Sequence, residues 1–403
     1  MRGLSFILSV IVLSGIGRAD DWRQFRGNDS SGVSSESKLP VRLDEAETLT
    51  WKSPLPGRGL SGPVVIGDRV FLTASSGYRD DRLHVLCLSV ATGELLWERQ
   101  FKATGRTVCH ESMCMATPQA CSDGERIYAY YSCNDVVCLD LDGNPIWYRG
   151  LGFDYPNASS SLGMSSSPVV VDGVLVLQLD TESESFVAGL NAFTGETRWK
   201  LDRAKSAIYA SPALFRPSTS PAPQVVLHSK KSLLSIDPQT GRTNWEVTQA
   251  CGAVSSTTVA GDLLVSPLNE LSVLRPVESA GTPEVVWSDA RLLPDTPTPV
   301  AYEDRVYVLK GSVLSCANLK TGKIAWRLRL DCKGAYASPL AGSGHLYVVD
   351  ENGVLLAVRL EGTKGNVASR LELGEAIMGT PALAGGALYV RSDKHLWKFA
   401  DAN

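Results

Sequence analysis

One short pattern recurs along this chain and constrains its fold more than any other feature. In the clearest copy, Ala91 to Trp97, a Thr-Gly pair is followed by a Trp four residues after the Gly. The other copies are Phe193 to Trp199, Gln239 to Trp245, Lys320 to Trp326, Leu141 to Trp147 with Asp for Thr, and a decayed Gly281 to Trp287. Because Gly accepts the positive φ of a tight hairpin, each copy predicts a turn and then a strand that carries the Trp. Such recurrence indicates a repeat architecture.

A second marker, a small residue followed by Pro and an apolar strand, gives the period. It occurs at Gly62-Pro63, Thr117-Pro118, Ser167-Pro168, Ser211-Pro212, Thr298-Pro299, Ser338-Pro339 and Thr380-Pro381, with Ser256-Thr257 as a variant. Successive starts are 40 to 55 residues apart, the length of a propeller blade of four short strands.

The last unit explains how the ring closes. Ile377 to Phe399 supplies only three strands, whereas Thr48 to Ser53 is a strand without a unit of its own. Joining them removes exposed sheet edges. The sequence therefore predicts an all-β, eight-bladed propeller of four-stranded antiparallel blades, closed by the N-terminal strand 48–53. In the seventh unit Lys364-Gly365 replaces Thr-Gly, and Ser369 stands where a Trp is expected.

The flanking residues suggest export. Residues 1–19 resemble a secretory signal, with Arg2, an apolar run and a small-x-small end at Ala19. Cleavage there leaves 37 basic and 43 acidic residues, a formal charge of −6, which does not favour a nucleic-acid partner. Residues 20–47 are predicted to be an N-terminal arm, in which the Ser/Gly-rich stretch after Gly27 and up to Ser37 is exposed, and residues 48–403 a single propeller domain. We expect a monomer in the periplasm or outside the cell that does not span a membrane.

The nine cysteines fall into two groups. Cys87, Cys138 and Cys316 occupy a repeat position that elsewhere holds Gly189 or Ser235, so we interpret this position as one that requires a small buried residue. The pairing of the remaining six stays open, including a bridge between Cys109 and Cys114.

The Thr-Gly-x-x-x-Trp copies, the Ser/Thr-Pro starts and the N-terminal Asp20 to Gly27 resemble secreted bacterial proteins with pyrroloquinoline quinone (PQQ)-like β-propeller repeats. The resemblance implies that the repeat's Trp docks between neighbouring blades. Seven residues take this structural role: Trp51, Trp97, Trp147, Trp199, Trp245, Trp287 and Trp326.

Two branches share that fold, and the fold does not choose between them. Quinoprotein dehydrogenases oxidise alcohols or sugars with PQQ and calcium, whereas members such as BamB bind other proteins. The quinoprotein dehydrogenases resemble one another in a pair of adjacent Cys residues, which this chain lacks. The complete set of calcium ligands of those enzymes cannot be matched to positions of this chain either. We therefore assign no catalytic, cofactor or metal residue and expect no bound cofactor; PQQ and calcium belong to the alternative, a PQQ-dependent oxidoreductase.

Two inter-blade loops and two tyrosines are the candidate binding residues at one rim. The loop that contains Arg106, His110 and Glu111 joins blades 1 and 2. The alternatives to partner binding are that this loop binds a soft metal or that its polar groups are only solvated. The loop with Tyr155, Asn157 and Met164 offers aromatic and Met contact area, or has no role.

Tyr209 and Tyr336, before Ala-Ser-Pro in equivalent blades, either approach the axis or pack between blades. The hydroxyls of the strand starts are expected to satisfy backbone groups. The function predicted is a non-catalytic scaffold that binds a protein, peptide or envelope component.

Overall fold

The computed structural model describes residues 21–277 and 281–401, so the predicted signal sequence lies outside the described residues. The strands form eight four-stranded sheets, and every strand pair is antiparallel, as between β3 and β4. The prediction of an all-β, eight-bladed propeller is confirmed. No helix in the described part of the chain has the length and apolar character needed to cross a bilayer.

Each blade runs from a short inner strand at the axis to an outer strand at the circumference. Blades 1 to 4 consist of β2 (Val64–Ile66), β3 (Arg69–Ser76), β4 (Arg82–Ser89), β5 (Leu95–Lys102); β6 (Cys121–Ser122), β7 (Arg126–Tyr130), β8 (Asp135–Asp140), β9 (Pro145–Gly150); β10 (Val169–Val171), β11 (Val174–Asp180), β12 (Ser185–Asn191), β13 (Thr197–Asp202); β14 (Ala213–Phe215), β15 (Gln224–His228), β16 (Leu233–Ile236), β17 (Thr243–Val247).

Blades 5 to 8 follow the same order, and the last takes its outer strand from the start of the chain. They consist of β18 (Thr258–Ala260), β19 (Leu263–Pro267), β20 (Leu271–Arg275), β21 (Glu284–Asp289); β22 (Val300–Tyr302), β23 (Arg305–Lys310), β24 (Val313–Asn318), β25 (Ile324–Arg329); β26 (Leu340–Gly342), β27 (His345–Val349), β28 (Val354–Glu361), β29 (Lys364–Glu372); β30 (Ala382–Ala384), β31 (Ala387–Arg391), β32 (His395–Ala400), β1 (Leu49–Pro54). Short helical turns are α1 (Leu151–Asp154) and the 3-10 turns Tyr78–Asp80 and Ala290–Leu292.

The N-terminal strand closes the ring as predicted. In β1, Trp51 lies opposite Lys398 and Ser53 opposite Leu396 of β32. Two faces of the ring can now be distinguished. The turn face carries the Thr-Gly turns and the hairpins after the inner strands, and the loop face carries the connections from each outer strand to the next inner strand.

The repeated Trp explains the small residue of the third strand. Cys87 lies opposite Trp97, and Gly189 lies opposite Trp199. A Cβ on Gly189 would come within 2.2 Å of the Trp199 ring, so the position accepts only small side chains. All nine cysteines are free.

The Trp also explains the Thr-Gly turn of the following blade. Trp97 Nε1 donates to the carbonyl of Leu141 at 3.1 Å, and a Cβ on Gly143 would lie 2.7 Å from the same ring. Five Trp residues donate to the next blade in this way: Trp51 to Val90, Trp97 to Leu141, Trp147 to Ala192, Trp199 to Pro238 and Trp287 to Leu319. The turn therefore supplies an acceptor and a flat surface without a side chain.

The Ser/Gly-rich stretch of the arm is only partly exposed, because Ser30 and Ser34 are buried. Trp22 is buried and pairs through its backbone with Val65 of blade 1, and Val33 forms a bridge to Ala341 of blade 7. Since both partners belong to inner strands, the arm passes through the central channel. The Ser/Gly content that suggested exposure instead lets the backbone fit between the inner strands.

The second half of the arm covers the junction of blades 7 and 8. Leu43 is buried, and its N–H donates to Ser369 Oγ at 2.8 Å. Ser369 lies opposite Ala357, in the register that the Trp takes in other blades. The arm thus packs an apolar side chain at the position where the seventh blade lacks its Trp.

Candidate functional site

Two concentric rings of side chains line a funnel on the loop face, and each blade contributes one residue to each ring. The inner ring stands just before the inner strands and comprises Gly62, Gln119, Ser167, Ser211, Ser256, Thr298, Ser338 and Thr380. The mouth ring stands two residues earlier in each blade and comprises Leu60, Thr117, Ser165, Tyr209, Val254, Thr296, Tyr336 and Met378. They enclose a cavity of about 410 Å³.

The inner ring is held by hydrogen bonds that run from blade to blade. The backbone N–H of Ser167 donates to Ser211 Oγ at 2.9 Å, and the N–H of Ser211 donates to Ser256 Oγ at 2.9 Å. The relation continues from Ser256 to Thr298, from Thr298 to Ser338 and from Ser338 to Thr380. The expected backbone role of these hydroxyls is therefore observed.

The second blade starts two residues later than the sequence analysis placed it. Gln119, not Thr117, donates its N–H to Ser167 Oγ at 3.0 Å. Its side-chain Nε2 reaches the Pro63 carbonyl at 3.2 Å, so Gln119 closes the ring beside Gly62. Thr117 instead accepts from the Cys114 N–H. The dipeptide Thr117-Pro118 has the sequence of the strand-start marker in the other blades, and for this reason it predicts a start two residues too early.

The arm forms the floor of the funnel. Phe25 lines the cavity, and the next residue, Arg26, is buried with Nη2 on the Pro299 carbonyl at 2.6 Å and Nη1 on Thr258 Oγ1. Burial lowers the pKa of Arg26 to about 9. Because these partners lie in blades 5 and 6, Arg26 fixes the arm across the channel, and the funnel is open toward the loop face.

The cavity lining contains one histidine, His110, and no other ionisable side chain except the phenols of Tyr209 and Tyr336. None of its side chains, among the residues that the structure describes, belongs to Asp, Glu, Lys or Arg. The mouth is largely apolar, and Tyr336 and Val254 are 49% and 38% exposed. Burial, with Glu182 nearby, raises the pKa of Tyr209, so this phenol is neutral. The funnel is thus suited to an uncharged segment with apolar groups and hydrogen-bond acceptors.

The structure brings three of the predicted site residues to this funnel: His110, Tyr209 and Tyr336. The two loops meet, since the His110 N–H donates to the Leu162 carbonyl at 3.2 Å. Glu111 is exposed beside His110 and its carbonyl accepts from Arg58.

The other four candidates lie elsewhere. Arg106 and Tyr155 line a separate cavity of about 310 Å³, and the Tyr155 ring packs 4.5 Å from Phe186. Asn157 is exposed, whereas Met164 is buried between blades 2 and 3. A buried side chain cannot offer the contact area predicted for Met164.

Sequence reasoning missed most of the mouth ring. Tyr209 and Tyr336 were selected because they stand two residues before a strand start, yet the same offset identifies Leu60, Val254 and Met378. That offset was the available signal. Phe25 had none, because nothing in the sequence places the arm inside the ring.

The lining does not fit PQQ with calcium. Calcium needs several oxygen ligands, carboxylates above all, and the only oxygen atoms that the lining offers are those of hydroxyls, one side-chain amide and the backbone. It also has no Lys or Arg for the carboxylates of the quinone. Within residues 21–277 and 281–401, no group of three His, Cys, Asp or Glu side chains could hold a metal ion.

The fold is shared with both branches. It superimposes on a europium-containing methanol dehydrogenase with a TM-score of 0.75 at 11% identity, covering 94% of this chain and 98% of that one. BamB from Moraxella catarrhalis gives 0.60 at 16%, covering 90% and 97%. The quinohemoprotein alcohol dehydrogenase from Comamonas testosteroni gives 0.70 at 13%, covering 97% and 82%.

Sequence comparison gives a distant relative and a family. Polyvinylalcohol dehydrogenase of Sphingopyxis sp. (strain 113P3) is 22% identical over 275 residues, 58% of this chain but only 40% of that protein. The chain therefore spans less than half of that relative. The family model described as outer membrane protein assembly factor BamB matches residues 25–247 and 269–368. Because this match covers well over half of the chain, the protein belongs to the BamB family of PQQ-like β-propellers.

Proposed function

We propose that the protein is an exported scaffold whose funnel holds an uncharged, apolar segment of a protein or peptide without acting on it chemically. The observation that carries this proposal is a lining whose ionisable side chains are one histidine and two phenols, above a floor made by the chain's own arm. The export signal at 1–19 and the family relation support a place in the cell envelope.

The two rings suggest how a peptide would be held. Apolar side chains would contact the mouth, where Val254 and Tyr336 are exposed. Each inner-ring hydroxyl from Ser167 to Thr380 already accepts a backbone N–H, and its own proton has no protein acceptor in the described part of the chain. Those protons would donate to main-chain carbonyls of the peptide, so a partner gains directed bonds without a charge.

The experiment is selection from a peptide library with the mature protein as bait, followed by binding measurements on single variants. Val254→Glu places a carboxylate in the mouth and is expected to weaken peptide binding at least about tenfold, because a buried unpaired charge is costly. Val285→Glu is the matched control, since Val285 is 48% exposed on the outer strand of blade 5. Loss of binding in Val285→Glu alone would move the site to a strand edge and contradict a funnel site.

The rim loop is tested separately. Replacing His110 and Glu111 together by Ala removes two exposed side chains beside the funnel. Weaker binding with an unchanged melting temperature is expected if this loop contacts the partner. A lower melting temperature with unchanged binding would make both residues structural.

The second candidate function is a PQQ-dependent oxidoreductase. It is favoured by the dehydrogenases among the structural neighbours and by the polyvinylalcohol dehydrogenase relative. Reconstitution with PQQ and calcium, followed by a dye-coupled screen of alcohols and sugars, tests it. Turnover in that screen would overturn the scaffold proposal.

A further inference from the structure

One histidine of this chain is bonded differently from the other four. His84 Nε2 lies 2.7 Å from Ser76 Oγ, and its Nδ1 lies 2.5 Å from Glu98 Oε1. A hydroxyl on one ring nitrogen and a carboxylate on the other is the arrangement of a serine nucleophile with its base and orienting acid.

Each of the remaining histidines lacks at least one of these partners. His110 and His228 contact a hydroxyl, of Ser112 and Thr257, without a carboxylate on the other nitrogen. His395 Nδ1 contacts a carboxylate, but no hydroxyl bonds its ring in the described structure. His345 contacts only a backbone carbonyl. The combination at His84 is therefore not a general property of histidines in these blades.

The strands of blade 1 place the three groups on one sheet face. His84 of β4 lies opposite Ala74 of β3 and Gln100 of β5. Ser76 is two residues after Ala74, and Glu98 two before Gln100, so both side chains point to the same face as His84. No sequence spacing reveals this, because the register of three strands creates it.

The imidazole is held in one orientation. His84 is buried, and its carbonyl accepts from Tyr131 Oη at 2.7 Å. Gln100 Nε2 donates to Glu98 Oε1 at 2.9 Å, which fixes the carboxylate. With Glu98 accepting the Nδ1 proton, Nε2 is left as the acceptor for the Ser76 hydroxyl.

The backbone around Ser76 leaves its oxygen accessible. Ser76 ends β3 and is partly exposed, and Gly57 and Gly77 on either side of it are exposed. A Cβ on Gly57 would stand 2.3 Å from the Ser75 carbonyl oxygen and 3.2 Å from Ser76 Cβ, so no side chain fits at position 57 beside the serine. Gly57 therefore leaves one side of Ser76 without a covering side chain.

A strained turn follows the serine at once. Gly77 has φ 81° and ψ −165°, a conformation open essentially to Gly alone, and Arg79 and Asp80 have positive φ. The N–H groups of Gly77 and Tyr78 donate to no acceptor in the described structure. Strain and free amides next to a serine are features of sites that stabilise an oxyanion.

We propose that Ser76, His84 and Glu98 form an acyl-transfer site for carboxylic esters on blade 1, separate from the funnel. Ser76 Oγ attacks the ester carbonyl while its proton passes to His84 Nε2. The carbon–oxygen bond to the alcohol breaks, and the alcohol leaves with that proton. Water then attacks the acyl-serine, His84 takes its proton, and Ser76 recovers the proton as the acid departs. Glu98 is a positioning residue.

The experiment treats the mature protein with a fluorophosphonate probe and with p-nitrophenyl acetate, and maps the probe by peptide mass spectrometry. We expect label on Ser76, and loss of both label and hydrolysis in Ser76→Ala. Glu98→Gln should lower the labelling rate and kcat about 10²-fold with KM unchanged, because Glu98 acts only through the imidazole. Ser89→Ala, a serine of the same blade without a histidine contact, should keep the wild-type rate.

Other results would overturn the proposal. Absence of label and of hydrolysis in folded wild-type protein would leave the three residues as a cross-strand hydrogen-bond network, and so would hydrolysis that persists in Ser76→Ala. Because peptide binding at the funnel is measured separately with Val254→Glu, failure at one site does not affect the other.

Discussion

Two arcs of the ring are joined by different contacts. From blade 8 through blades 1, 2, 3 and 4, each Trp donates to a carbonyl of the next blade and packs on its turn Gly. This contact differs at three junctions: between blades 4 and 5, between blades 6 and 7, and between blades 7 and 8. Trp245 Nε1 donates to Gln224 Oε1 of its own blade, and Trp326 packs on Gly365 while its Nε1 has no acceptor in the described structure.

The difference shows which part of a repeat is essential. Blade 5 lacks the Thr-Gly turn. Trp245 of the preceding blade is still present, but its Nε1 donates to a different acceptor, Gln224 Oε1. Where the Trp is lost, as at Ser369, a segment from outside the repeats fills the junction. The buried apolar contact is kept at each junction, and the hydrogen bond is dispensable. Three changes test this comparison.

The largest effect is expected from Trp97→Ala, in the regular arc. The change removes a large side chain that packs on Gly143 and also the hydrogen bond from Trp97 Nε1 to the Leu141 carbonyl, which keeps only Arg69 Nη1 as a donor. We therefore expect a loss of about 3–5 kcal/mol in the free energy of unfolding. Trp326→Ala is the matched variant, and it loses packing alone. Its loss should be smaller by about 1 kcal/mol, measured by urea unfolding. Equal losses would show that the interblade hydrogen bond contributes nothing.

The next effect concerns the arm. Leu43→Ala empties the position beside Ser369, and a buried Leu→Ala change costs about 2–4 kcal/mol. Leu96→Ala is the control, because Leu96 is 51% exposed on an outer strand, and it should stay within about 0.5 kcal/mol of wild type. If thermal unfolding shows that Leu43→Ala is as stable as wild type, the Leu43 side chain at the junction of blades 7 and 8 does not contribute to stability.

The regular arc is also the part that sequence could predict. The Thr-Gly turn and the Trp are local sequence signals that recur, so the pattern of one repeat predicts the strands of the others. The arm repeats nothing, and its burial depends on a channel that exists only after the ring closes. No sequence pattern therefore indicates the positions of Trp22, Phe25 and Leu43.

The two proposed sites differ in the same way. Tyr209 and Tyr336 were found from their distance to a strand start, and that rule extends to the whole mouth ring. Ser76, His84 and Glu98 lie on three strands whose register no single-strand pattern reports. The partners of His84 can therefore be identified only from the paired strands.

The smallest effect is expected at the closing strand and depends on pH. Glu375 accepts from Ser392 Oγ at 2.5 Å, lies 2.7 Å from His395 Nδ1, and pairs with Lys52 of β1 at 3.4 Å. Burial raises the pKa of Glu375. The hydrogen bonds from Ser392 and His395 and the charges of His395 and Lys52 lower it by more than burial raises it, so the pKa lies below its ordinary value.

Because the folded pKa of Glu375 lies below the unfolded one, its ionised form stabilises the closed ring above about pH 4.5. That contribution is lost as the pH falls through the folded pKa. Glu375→Gln should therefore cost about 0.5–1 kcal/mol near neutral pH, and the gap to wild type should close in acid. Glu361→Gln, which removes an exposed pair with Lys364, should show no gap at any pH. A gap for Glu375→Gln that persists unchanged at low pH would assign the contact to packing rather than charge.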